Sequence, residues 1–191
     1  MIFLLSFEPL VDVLLAALAY LLYKLLGKRP WSFWGAVLAL YLSMVFSVTG
    51  LPSLQHLSLD LTLNLIPFSD FRDSRFLYLS ALNMIMTVPL GVLLPLAFRK
   101  YRHFTPTLLA GFFTSLTIEV LQLFCYRATD IDDLILNTLG TVLGFFLGKL
   151  LFSRLWPRCG DQKNGYPLLI AILILLCFFL RQPLYDLPYC M

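Results

Sequence analysis

The sequence predicts an all-α, polytopic membrane bundle of about six spans. Composition points there first: 60% of the 191 residues are hydrophobic, 13% are charged and the mean hydropathy is +0.84, far from the balance of soluble domains. Second, six apolar stretches each approach the roughly 17 to 25 residues that a span requires. Third, ten of the fourteen Lys and Arg residues collect in alternate loops, the pattern of cytoplasmic loops in a multi-pass protein.

The first stretch, residues 5–26, is interrupted early by Glu8 and Asp12. No Lys or Arg precedes it, and Lys24, Lys28 and Arg29 follow, flanks that suit a retained helix rather than a secretory signal. The second stretch is 31–52. In the loop after it, "LSLDLTLNL" (57–65) alternates leucine with polar residues, which predicts an extended, half-buried segment. "IPFSDFRDSRFLY" then mixes aromatics with Asp70, Arg72, Asp73 and Arg75 and suits the headgroup level. The third stretch is 80–98, followed by Arg99, Lys100 and Arg102. The fourth is 104–126, the fifth 132–153 and the sixth 166–182, with Lys149, Arg154, Arg158 and Lys163 in or beside the last connection. With the basic loops inside, both termini, the 53–79 loop and the 127–131 turn face outward, and ten of eleven acids, all but Asp161, lie on the outer half. The net charge of +3 hides this separation. The basic loops read as topology signals, not as a nucleic-acid surface.

Residues 1–191 read as a single integral membrane domain, without a linker or an internal repeat, which weakens the case for an inverted-repeat transporter. Four cysteines show no metal spacing, and on this topology only Cys125 and Cys190 could pair outside. His56 and His103 fall on opposite sides, so no histidine metal site is expected. There is no serine–histidine pair and no HExxH.

Helical spacing singles out three stripes. On the fifth span Asp133, Asn137, Gly140, Gly144 and Gly148 are separated by 4, 3, 4 and 4 positions and share one face. The fourth carries Gly111, Ser115, Glu119 and Gln122 at 4, 4 and 3, and the third carries Asn83, Thr87, Gly91 and Pro95, each four apart. Small residues allow close approach in a membrane, so the three stripes are expected to face one another, with Gly140 and Gly144 receiving the fourth span. Glu119 then lies roughly 10 Å below the outer end at 1.5 Å per residue, level with Asn83, Asp133 and Asn137. Arg127, in the turn above, is an expected partner for Glu119.

"NLIPF" in the outer loop, "LNMIMTVPLGVLLP" entering the third span, "EVLQ" in the fourth and "RATDIDDLILNTLGTVLG" entering the fifth resemble the signature of the VanZ-like family of small bacterial membrane proteins. The likeness covers about residues 60–150, a VanZ-like core within helices two to five. It implies a bacterial plasma-membrane protein, in a family whose named member is associated with resistance to the lipoglycopeptide teicoplanin. Carried over by position, it points to Asn64, Pro67, Phe68, Asn83, Pro89, Gly91, Glu119, Gln122, Arg127, Asp130, Asp133, Asn137, Gly140 and Gly144.

Three readings of the cluster follow. It is interhelical hydrogen-bonding glue in a scaffold; or a pocket open to the outer leaflet that takes a lipid-linked cell-wall precursor or a related envelope molecule; or part of a small transporter or flippase. In the pocket reading Glu119 is general acid or base and Arg127 and Asp133 complete the reactive set. Asn64, Phe68, Asn83, Gln122, Asp130 and Asn137 then line the ligand, Gly91, Gly111, Gly140 and Gly144 pack the helices, and Asp130 with Asp133 offers oxygen ligands to a divalent cation. Membrane lipids are the expected surroundings and nucleic acid is not an expected partner.

Overall fold

A computed structural model describes residues 33–49, 63–64, 66–68, 74–124 and 129–156, with isolated positions between 13 and 25 and residue 172. Most of the first and sixth predicted spans, and Arg127, Cys125, Cys190 and His56, lie outside the described residues. The chain divides into two compact units, residues 1–57 with 166–191, and residues 58–165.

In the first unit, α1 (Phe33–Thr49) is the second predicted span. Leu38, Leu42, Val45 and Phe46 are buried while Phe33, Leu40, Met44 and Val48 are exposed. This two-sided wheel arises although almost every residue is apolar, so burial here follows helical phase rather than polarity.

The second unit holds β1 (Leu63–Asn64), α2 (Ser74–Ala97), a 3-10 turn (Arg99–Arg102), α3 (Phe104–Gln122), β2 (Thr129–Asp130) and α4 (Ile131–Phe152). The three helices are long and apolar enough to cross a membrane, and apart from the two-residue strands the described residues are helical or in turns. The third predicted span begins earlier than expected, at Ser74 rather than 80, because the helix runs on through the exposed Arg75, Leu77 and Tyr78, where apolarity alone gives no signal.

Pro89 and Pro95 lie inside α2. Each lacks the N–H that would bond the carbonyl four residues earlier, and at the end of the helix Arg102 Nε donates to the last-turn carbonyl of Pro95 at 3.4 Å. The 3-10 turn reverses the chain, and Thr107 Oγ1 donates to Tyr101 O at 2.6 Å, tying the first turn of α3 to it. Burial raises the Tyr101 phenol above its ordinary pKa.

Packing of α2 on α4 sets the architecture. A Cβ on Gly140 would strike Met84 O and Thr87 Oγ1, one on Gly144 would strike Val88 O, and one on Gly148 would reach Val92. Both sets of numbers rise together, so α2 and α4 run parallel. The hydrogen that stands in place of Cβ on Gly140 and Gly144 points at those carbonyl oxygens, as in Cα–H···O contacts worth about 0.5 to 1 kcal/mol each. Gly91 answers from α2, facing Thr141 O. The α4 glycines therefore receive α2, the third predicted span, and not the fourth. Helical period selects the face of a helix but not the neighbour that occupies it. Contact with α3 is made instead by Thr141, whose side chain would lie 2.7 Å from a Cβ on Gly111. Gly111 pairs with residue 141, Ser115 with 133 and Glu119 with 130, so α3 runs antiparallel to both.

The unit is polar at one end and aromatic at the other. Phe104, Phe145, Phe146 and Trp156 form a ring cluster with centroids 5.5 to 6.3 Å apart, edge-to-face at Phe104–Phe145 and Phe145–Phe146 and tilted at the other two contacts, beside the basic 3-10 turn. The acids lie where α4 begins.

Candidate functional site

Asp130 makes the site possible by starting α4. Its backbone is extended (φ −118°, ψ 127°), and its Oδ1 accepts from Asp132 N at 2.9 Å, an N-cap that satisfies one of the orphan donors of the first turn. Asp132 and Asp133 follow in that turn and Lys149 sits in the last, the charge order that suits the helix dipole.

The segment "LNLIPF" closes over this N-terminus. Leu63 and Asn64 pair in parallel with Thr129 and Asp130, and Asn64 Nδ2 donates to Asp130 Oδ2 at 3.3 Å. The chain then turns, with Ile66 N donating to Asn64 Oδ1 at 3.4 Å. Phe68 takes a left-handed backbone (φ 59°), unusual for a residue with a bulky side chain. Its N–H donates to both Asp132 oxygens at 3.0 Å. The expected extended segment is seen at Leu63–Asn64, as a strand partner of the 129–130 turn.

Beneath that cover the three stripes meet. Glu119, only 3% exposed, accepts from Asp130 N at 3.2 Å through Oε2. Asn83 Nδ2 donates to Asp133 Oδ1 at 2.6 Å. Ser115 Oγ reaches Asp133 O at 3.5 Å, and Thr87 Oγ1 donates to Met84 O at 3.0 Å. One turn deeper, Asn137 is buried and its backbone carbonyl accepts from Thr141 Oγ1 at 3.1 Å. Gln122 is also buried.

The structure thus brings together two hydrogen-bonded groups at the start of α4, Asn64 with Asp130 and Glu119, and Asn83 with Asp133, with Asn137 one turn below. Phe68 joins through its backbone N–H, and the residue as a whole is about half exposed. Asp130 and Asp133 face different partners, Asn64 and Asn83. Among the described residues no group of three or more His, Cys, Asp or Glu side chains stands where a metal would be held.

Asp132 was not among the candidate site residues drawn from the sequence, yet it is completely buried. It lies about 100° around α4 from Asp133, off the glycine stripe, and its importance comes from a segment 64 residues away in sequence. Its signal was the first-turn run "DIDD", in which one acid caps the helix and the others must find donors elsewhere.

With this geometry in hand, likeness to known proteins can be placed on it. The family model described as VanZ/LLP1 matches residues 33–152, from the start of α1 to the end of α4. Protein VanZ of Enterococcus faecium is 36% identical over 118 residues, 61% of this chain and 71% of that protein. No solved structure matches the chain.

Proposed function

This chain belongs to the VanZ/LLP1 family, and on that premise we propose that it is a bacterial plasma-membrane protein whose polar cluster binds a cell-envelope molecule at the outer leaflet. The ligand class is a lipid-linked or glycopeptide-related molecule, and the outcome is a contribution to resistance against teicoplanin-type lipoglycopeptides. One observation carries the reading: three apolar helices converge around the buried Glu119 and Asn137, and the 66–68 segment covers the buried Asp132, beside Asp130 and Asp133. Ionisable groups inside a membrane are costly and as a rule serve binding or transfer. The segregation of basic residues supports an extracytoplasmic position for this end and for both termini. Arg127, two residues before β2 in sequence, supplies the cationic group that an anionic envelope ligand requires.

A specific observation favours a second reading. Glu119 is held by Asp130 N and Asp133 by Asn83, a closed arrangement in which each bond acts as interhelical glue worth about 0.6 to 2 kcal/mol. The glue reading makes the protein a non-catalytic scaffold.

Glu119→Gln separates the two, since it keeps volume and an acceptor oxygen while removing the ionisable proton. Under the site reading, a strain producing this variant loses protection under lipoglycopeptide challenge, at membrane abundance equal to wild type. Under the glue reading the substitution is mild or stabilising, because a neutral amide costs less to bury than a carboxylate. Full protection at equal abundance would sink the site reading for Glu119.

A further inference from the structure

Among the described residues, two buried side-chain atoms have no hydrogen-bond partner, Asn137 Oδ1 and Trp156 Nε1. The first lies in the polar seam. Asn137 is 2% exposed, and a buried acceptor without a donor carries a full desolvation penalty. It stands one turn after Asp133 on the face of α4 between the glycine contact with α2 and the Thr141 contact with α3.

The hydroxyl protons along this stretch, and one of the two amide hydrogens of Asn83, are already committed. Thr87 Oγ1 donates to Met84 O, Ser115 Oγ to Asp133 O, Thr141 Oγ1 to Asn137 O and Asn83 Nδ2 to Asp133 Oδ1. A hydroxyl whose proton is spent retains only lone pairs. The seam is therefore rich in oxygens, an amide oxygen, hydroxyl oxygens and the Asp133 carboxylate, against the one remaining amide hydrogen of Asn83. A water donating to Asn137 would turn its own lone pairs toward further acceptors. A cation would satisfy several of these oxygens at once.

Size and charge narrow the class. Asn137 Oδ1 is enclosed, so whatever meets it is a single small species and not a lipid headgroup. Hard cations take oxygen ligands, and tight divalent sites gain their affinity from several carboxylates, a grouping not found among the described residues. We infer that Asn137, with Ser115 and Asp133, forms a site for a desolvated monovalent cation the size of sodium. Oxygens on facing membrane helices hold such ions in other folds. The ion offsets the acidic end of the bundle. This inference rests on the proposed site only for its role, because binding is measured without any envelope molecule, so either can fail alone.

Full-length protein in lipid nanodiscs is melted in sodium, potassium or choline chloride at one ionic strength. Sodium is expected to raise the midpoint saturably, by roughly 3 to 6 °C over choline at concentrations well above the dissociation constant. Asn137→Leu should abolish that rise and Asn137→Asp, which keeps an oxygen and adds charge, should preserve or enlarge it. Equal midpoints in all three salts would mean a water only and overturn the proposal. An unchanged sodium shift in Asn137→Leu would place the ion elsewhere and overturn it as well. Should Asn137→Leu fail to fold, Ser115→Ala decides: a reduced sodium shift supports the site and an undiminished one counts against it.

Discussion

Gly144→Leu should prevent α2 from seating on α4. Even the first added carbon is obstructed, since a Cβ at Gly144 would overlap Val88 O and lie 2.8 Å from Val88 C and 3.1 Å from Gly91 Cα. These atoms are backbone, with no side chain that can rotate away. Overpacking a well-filled interior commonly costs 1 to 3 kcal/mol, and a collision with a neighbouring helix backbone belongs at or above roughly 3 kcal/mol. For a chain of this length each kcal/mol lowers the midpoint by about 2 to 4 °C. Thermal melting by intrinsic tryptophan fluorescence, with size-exclusion of the detergent-purified protein, reads the loss. Gly148→Ala is the internal control: its Cβ would lie 3.2 Å from Val92 Cα, so a small adjustment accommodates it. If Gly144→Leu melted with wild type, the parallel α2–α4 contact could not be the one that holds the bundle.

The same glycines show what the sequence carried and what it withheld. A spacing of four, three and four along Asp133, Asn137, Gly140 and Gly144 identifies a single face, because side-chain direction on a helix is local geometry. The face is polar near the helix start and bare backbone further on, as the period requires. Which helix meets that bare backbone is a long-range fact. Gly144 and Gly111 are equally small residues in equally apolar surroundings, and only the fold sends one to Val88 on α2 and the other to Thr141 on α4. Neighbours in sequence, α3 and α4, are joined at the Thr141–Gly111 contact and at the acids, whereas the closest backbone approach is between α2 and α4. The start of α2 was hidden for another reason: Ser74, Arg75 and Tyr78 are compatible with a helix but break the apolar run by which a span is recognised. Asp130 was legible as a polar residue at a helix start, and its role as a cap follows from local chemistry. Asp132 was not, since its partner is a backbone N–H presented by a residue in a left-handed conformation, and no side-chain pattern announces such a donor.

Asp132→Leu should release the segment around Phe68 and destabilise the start of α4. The carboxylate is fully buried, and both oxygens accept from Phe68 N at 3.0 Å. Leucine fills similar space but leaves that N–H without an acceptor, and bonds to charged groups contribute about 1.5 to 3 kcal/mol. Phe68 also adopts φ 59°, a conformation that a bulky residue holds only when its surroundings impose it, so loss of the tether removes the reason for the turn. Asp132→Asn keeps one acceptor oxygen and should cost less. Hydrogen exchange of the peptide containing Phe68 measures the effect directly: exchange should accelerate by about ten- to a hundredfold in Asp132→Leu, each factor of ten matching about 1.4 kcal/mol, with the middles of α2 and α4 less affected. The consequence reaches the site because Asn64 and Ile66 belong to the same cover and Asn64 bonds Asp130, whose N–H meets Glu119. A folded Asp132→Leu variant with unaltered exchange at Phe68 would show that Asp132 does not hold the cover, and that the cover is kept in place by the strand pairing at Asn64 alone.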